Sequence, residues 1–219
     1  MALPFTEWKP SFLRYPARPE YAVAPAMFGH YTGKGWGWQY KMNGTYSIIG
    51  VSPTGEIHNL NRHGEAHKQW KPTARTRNLV KYATPGKWTV FLCELIDAKT
   101  PQIKDTLYIF DLCVFNSEFL MGTKFEDRQQ LLEIMFPKAK AIKGVESHKL
   151  IEEGLWLSQV IKRDPAKVFQ EIVKLNDSAI EGLVGKDPQG TLEPFFRENS
   201  NQAWQIKVRR AMQNLNQTN

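Results

Sequence analysis

The chain has 219 residues, 42% of them hydrophobic and 12% aromatic, and a formal net charge of +7 from 29 Lys and Arg against 22 Asp and Glu. That length can bury a full core, while no apolar run approaches the ~20 residues of a membrane span and no secretory leader pattern opens the sequence, so a membrane protein is not expected. Cys93 and Cys113 sit inside apolar runs and read as buried thiols, which implies a reducing, cytoplasmic compartment.

The first 35 residues carry Pro4, Pro10, Pro16, Pro19 and Pro25 and read as an extended arm lying on the domain, not as a helix. Residues 36–219 then form one unit. WGWQYKM, TYSIIGV, EIHNLNR, WTVFLCELI and TLYIFDLCVF are rich in β-branched and aromatic residues and are punctuated by Pro and Gly, which predicts successive strands. KPTARTRNLVKYA (71–83) predicts a short helix between two of them. Helices are expected at 125–136, where Leu131, Leu132, Met135 and Phe136 share a face, less clearly at 150–160, and at 165–175 behind Asp164 with Pro165 at the first position. Strands return at 179–187 and 203–210, and the polar tail frays. The sum is an α+β fold of mainly antiparallel sheets with flanking helices.

Charge inside these strands points to chemistry. Lys41 ends an aromatic strand and is followed by Asn43-Gly44, and Glu94 interrupts the hydrophobic strand FLCELI. EGLVGKDP sets Glu181 and Lys186 at the two ends of an apolar strand. In WQIKVRR, period two places Lys207 and Arg209 on one face, opposite Ile206 and Val208. Buried charges are costly unless paired or used, and here several strands carry one each. The basic excess recurs in short pieces at 71–81, 138–143 and 207–210, as a stripe on a folded surface facing a polyanion would. His58, His63 and His67 lack the Cys or carboxylate spacing of a zinc site.

Lys41-Met42-Asn43-Gly44, Arg62 in LNRHG, Glu94 in FLCELID, Phe110-Asp111 in LYIFDLCV, Glu181 in EGLVGKDP and Lys207 in WQIKVRR occur in an order that resembles the motifs of the covalent nucleotidyltransferase superfamily, the ATP-dependent DNA and RNA ligases and mRNA capping enzymes. The resemblance spans residues 38–210. It implies that Lys41 attacks the α-phosphorus of ATP, that Arg62 and Glu94 hold phosphate or ribose, that Phe110 stacks on the purine, that Glu181 helps hold Mg²⁺ (or Mn²⁺), and that Lys207 contacts the α-phosphate. Cations gathered at the phosphates would lower the pKa of Lys41. Gln39, Tyr40, Asn43, Gly44, Lys186 and Arg209 complete the expected nucleotide contacts. Gln39, two residues before Lys41 on the same strand face, is the candidate for selecting adenine.

Three departures accompany the resemblance. Asn43 replaces the aspartate of Lys-x-Asp-Gly, Tyr46 stands where DNA ligases and capping enzymes carry arginine, and Arg209 replaces a second lysine. The sequence ends nine residues after Arg210, which leads to the expectation of an adenylation domain without a C-terminal OB-fold, either by nature or by truncation. The expected activity is ATP-dependent sealing of nicked duplex nucleic acid by a monomer, with DNA favoured and RNA or hybrid joining the alternative. An mRNA guanylyltransferase and a nucleic-acid-binding module that has lost catalysis are the further readings.

Overall fold

The computed structural model describes residues 3–8, 21–192 and 203–211; Pro10, Pro16 and Pro19 of the N-terminal stretch and tail residues 212–219 lie outside them. In chain order the strands are β1 (Leu3–Pro4), β2 (Tyr21–Ala22), β3 (Gly37–Met42), β4 (Thr45–Val51), β5 (Ile57–Asn61), β6 (Thr89–Ile96) and β7 (Thr106–Phe115). They continue with β8 (Glu118–Phe119), β9 (Lys140–Ala141), β10 (His148–Glu152), β11 (Leu155–Ser158), β12 (Ile180–Lys186) and β13 (Gln205–Arg209). The helices are α1 (Phe28–Gly33), α2 (Ala74–Arg77), α3 (Phe125–Met135) and α4 (Pro165–Leu175).

Two sheets result. The larger runs β5-β4-β6-β7-β11-β10-β9, with β8 on β7 and β1 on β8; the smaller runs β2-β13-β12-β3. Most pairs are antiparallel, and only β7–β11 and β2–β13 are parallel among those described. One face of the large sheet, with Phe91, Cys93, Leu107 and Ile109, packs on Leu79 and on Leu132 and Phe136 of the α3 region. The smaller sheet buries Trp38, Leu183, Ile206 and Val208 against α4 through Val168, Phe169 and Ile172. Asp164 caps α4 by accepting from the Ala166 N–H, with Pro165 at the first turn, as the sequence predicts. Where the sheets approach, Met42, Ile96, Tyr108 and Ala179 fill the gap. The Tyr108 hydroxyl there donates to the Tyr40 carbonyl at 3.3 Å and lies 2.7 Å from Ser158 Oγ.

Two expectations need correction. Residues 150–160 are a β-hairpin, not a helix: β10 and β11 pair antiparallel around a turn in which Gly154 has φ +78°. Leu155 and Leu157 alternate inward with period two, and a short apolar run of that kind does not separate strand from helix by sequence alone. Within the stretch read as extended, Pro25–Met27 forms a 3-10 turn and Phe28–Gly33 a helix, held by Phe28 against Trp38 and Phe169. Cys93 and Cys113 are buried and free, and burial pushes both thiols up.

Candidate nucleotide-binding site

A cavity of about 530 Å³ opens between the two sheets. Six basic side chains line it (Lys41, Arg62, Lys99, Lys186, Lys207, Arg209) against two carboxylates, Glu94 and Glu181. Such an imbalance suits an anion of several charges. The volume falls within the range of ordinary ligand pockets.

The small sheet supplies one wall. On β3, Gln39 and Lys41 face the cavity while Trp38 faces α4, and on β13 Lys207 and Arg209 face it while Ile206 and Val208 do not. Strict alternation along β12 would split Glu181 from Lys186, five residues away. The structure resolves this with a β-bulge: Ile180 pairs with Met42 and Gly182 with Lys41, leaving Glu181 as the extra residue. The bulge is held from the neighbouring strand, because Arg210 N–H donates to the Glu181 carbonyl at 3.0 Å and Arg210 Nε to the Ile180 carbonyl at 2.8 Å. Gly182 is required there, since its φ is +149° and a Cβ would stand 2.0 Å from the Val208 carbonyl oxygen. Glu181 thereby reaches Lys41, with Oε2 2.5 Å from Nζ, and Arg209 Nε lies 3.6 Å from the same oxygen.

The large sheet supplies the other wall, and it too uses a bulge. Cys93 pairs with Ile109 and Leu92 with Asp111, so Phe110 is the extra residue of β7. Its carbonyl accepts instead from Gln129 Nε2 at 3.0 Å and from Lys186 Nζ at 3.4 Å. Asp111 is gripped by Arg128, Nε to Oδ1 at 2.8 Å and Nη2 to Oδ2 at 3.0 Å, with both side chains almost fully buried. Lys186 is enclosed, its Nζ 5.0 Å from the Phe110 ring centre and 4.5 Å from that of Phe125. Burial pushes its ammonium down to about 8; Asp111 opposes the shift and Arg128 adds to it.

Glu94 projects from β6 toward the turn between β3 and β4 and accepts the Gly44 N–H at 3.1 Å. Burial pushes its carboxyl up to about 7, against the pull of Lys41 and Lys99 and the Gly44 N–H, with Glu181 adding to the rise. A glutamate whose folded pKa lies above its ordinary 4.5 stabilises the fold below pH 4.5, and that contribution is lost as pH rises through about 7. Glu94→Gln keeps the acceptor and removes the titration. Urea unfolding should therefore show the variant gaining roughly 2 kcal/mol on the parent between pH 5 and pH 8. A difference that stays flat with pH rejects this account of Glu94.

Of the residues expected from sequence, eleven line the cavity: Lys41, Gln39, Tyr40, Gly44, Arg62, Glu94, Phe110, Lys186, Lys207, Arg209 and Glu181. Asn43 does not. Its Nδ2 donates to the Ser178 carbonyl at 2.9 Å and its N–H to the Ala179 carbonyl at 2.8 Å, so this residue ties the β3–β4 turn to the start of β12. Arg62 stands exposed at the rim, its Nε donating to His63 Nε2 at 3.0 Å. The sequence reading missed Lys99, which enters from the loop after β6 and donates to the Gly44 carbonyl at 2.5 Å; beside it Thr100 Oγ1 donates to the Asn43 carbonyl at 3.1 Å. No periodic signal marks a loop lysine. Among the described residues no group of three or more His, Cys, Asp or Glu could hold a metal ion, and no helix is long and apolar enough to cross a membrane.

No family model and no curated protein matches the sequence. Solved structures do match in shape. A mycobacterial DNA ligase D complexed with ATP and MES superposes with TM-score 0.56 at 18% identity over 80% of this chain and 54% of the other. The ligase domain of LigD from M. tuberculosis gives 0.57 at 18% over 80% and 53%, and Pmar-Lig_PreS3 gives 0.57 at 19% over 86% and 45%. The fold is that of a ligase nucleotidyltransferase domain. The chain spans about half the length of each of these three structures.

Proposed function

We propose that the chain is the catalytic core of an ATP-dependent polynucleotide ligase that adenylylates Lys41, passes AMP to a 5′-phosphate and seals a nick in DNA. The supporting observation is the gathering of five further cations, two carboxylates and an aromatic ring in one cavity with the Lys41 amine. In the first step Nζ of Lys41 bonds to the α-phosphorus as the bond to the bridging oxygen breaks and pyrophosphate leaves. Glu181 is the nearest group to take the proton that the amine gives up. Lys207 and Arg209 meet the negative charge on the phosphates, Phe110 supports the base, and Gln39 contacts its edge. Phosphoryl transfer depends chiefly on positioning and charge neutralisation, which this set supplies.

The donor set fits a divalent ion shared with substrate. Two carboxylates beside the nucleophile suit Mg²⁺ (or Mn²⁺), an ion that retains waters and takes its remaining ligands from the triphosphate. Glu181 would hold it, and the ion supplies charge neutralisation at the reacting phosphate.

The nucleic acid is tested by single-turnover sealing of pre-adenylylated nicked duplexes. Closure of the DNA nick in preference to its RNA counterpart is the expected result. Preference for RNA moves the reading to RNA joining. A protein that closes neither is a binding module, and labelling by α-labelled GTP rather than ATP marks a guanylyltransferase.

A further inference from the structure

Gln39 is 2% exposed, lines the cavity, and its Oε1 has no hydrogen-bond partner. A buried amide oxygen left unpaired costs about as much as a lost hydrogen bond, so it marks a place where a ligand donor completes the site. Which end of this amide faces the cavity is decided two residues away. The Phe110 carbonyl, freed from the ladder by its bulge, can only accept. Gln129 therefore turns its Nε2 to that carbonyl, at 3.0 Å, because the reversed amide would set oxygen against oxygen. With its nitrogen so committed, Gln129 offers only Oε1 to Gln39, which donates Nε2 to it at 3.0 Å. Gln39 is left with an unpaired acceptor, its Oε1.

We infer that Gln129 is a positioning residue that fixes base specificity: a polarity relay running from the Phe110 carbonyl through Gln129 to Gln39 makes the base end of the cavity an acceptor, selecting purines with a 6-amino group over those with a 6-oxo group. The inference rests on the nucleotide-binding reading of the cavity. A 6-amino group donates to Gln39 Oε1, whereas a 6-oxo group sets oxygen against oxygen. A site built for one polarity rejects the other more strongly than it rejects a change of size.

The test is equilibrium binding, by tryptophan fluorescence, of ATP and inosine 5′-triphosphate, which differ in the group at position 6 and in the protonation of the neighbouring ring nitrogen. N6,N6-dimethyl-ATP, which has no donor at position 6, serves as a third ligand. The parent protein should favour ATP over each of the others by about tenfold or more. Gln129→Leu frees Gln39 to rotate, so the ratio of ATP to inosine triphosphate affinity should fall by about tenfold while dimethyl-ATP, offered a freely rotating amide, gains least. Circular dichroism reports folding of the variant; should Gln129→Leu fail to fold, Gln129→Met, closer in length and flexibility, takes its place. An unchanged ratio in a folded variant overturns the relay and leaves the nucleotide site standing. A parent protein that binds none of the three overturns both.

Discussion

Lys41→Ala is expected to eliminate the covalent adduct, so that intact mass after incubation with ATP and Mg²⁺ shows no gain where the parent gains one adenylate. Loss of an attacking amine costs on the order of 10³-fold or more when no other amine is placed to take its role. Two neighbouring lysines are otherwise engaged. Lys186 is enclosed between the Phe110 and Phe125 rings, and Lys99 is engaged with the Gly44 carbonyl. Lys41 pairs with Glu181 at 2.5 Å, where a departing proton has an acceptor. Stability should change little, since Glu181 retains Arg209 at 3.6 Å. The same variant should still close a pre-adenylylated nick, because that step no longer needs the amine as nucleophile. An adduct that survives in Lys41→Ala would place the chemistry on another side chain.

The largest effect on stability is expected at Arg128. This guanidinium is 0% exposed, pairs with Asp111 through two hydrogen bonds, and lies 5.8 and 5.2 Å from the Phe125 and Trp204 ring centres. It also donates to the Thr123 carbonyl at 2.5 Å and the Gly190 carbonyl at 3.4 Å. Removing one member of a buried pair strands the other, at a cost of about 3–5 kcal/mol. Arg128→Met should therefore lower stability by about that amount in urea unfolding. The double change Arg128→Met with Asp111→Leu should recover much of the loss, since the desolvated charge is then gone. If the single change costs less than about 1 kcal/mol, the pair is not holding the β7 bulge.

How far the sequence reached can be judged from these same residues. Period two correctly separated Lys207 and Arg209 from Ile206 and Val208, whereas single charges in apolar strands pointed to chemistry without saying where those strands would meet. Arg128 was legible in principle: with Phe125 and Leu132 it occupies one face of α3 at helical spacing, a charge on an apolar stripe. The expectation for that helix rested on Leu131, Leu132, Met135 and Phe136 and did not include Arg128. The two bulges were not legible, because a strand's alternation tells which residues share a face only while the ladder is regular. Asn43 failed for a different reason. Its turn signal was sound, but a short amide beside free carbonyls is drawn into local backbone hydrogen bonds, and the Ser178 carbonyl lies within its reach. The 148–158 hairpin was hidden by its length, too short for period to choose between helix and strand.

The two bulges carry a consequence for how such a scaffold can change. Each inserts its working side chain, Phe110 or Glu181, out of step with the pleat, so the residue can be exchanged without disturbing the inward and outward order of its neighbours. Excising one position at either place would do the reverse. It would close the ladder at that point and turn the segment beyond by half a pleat, leaving hydrogen bonds that give no hint of the side chain lost from the cavity.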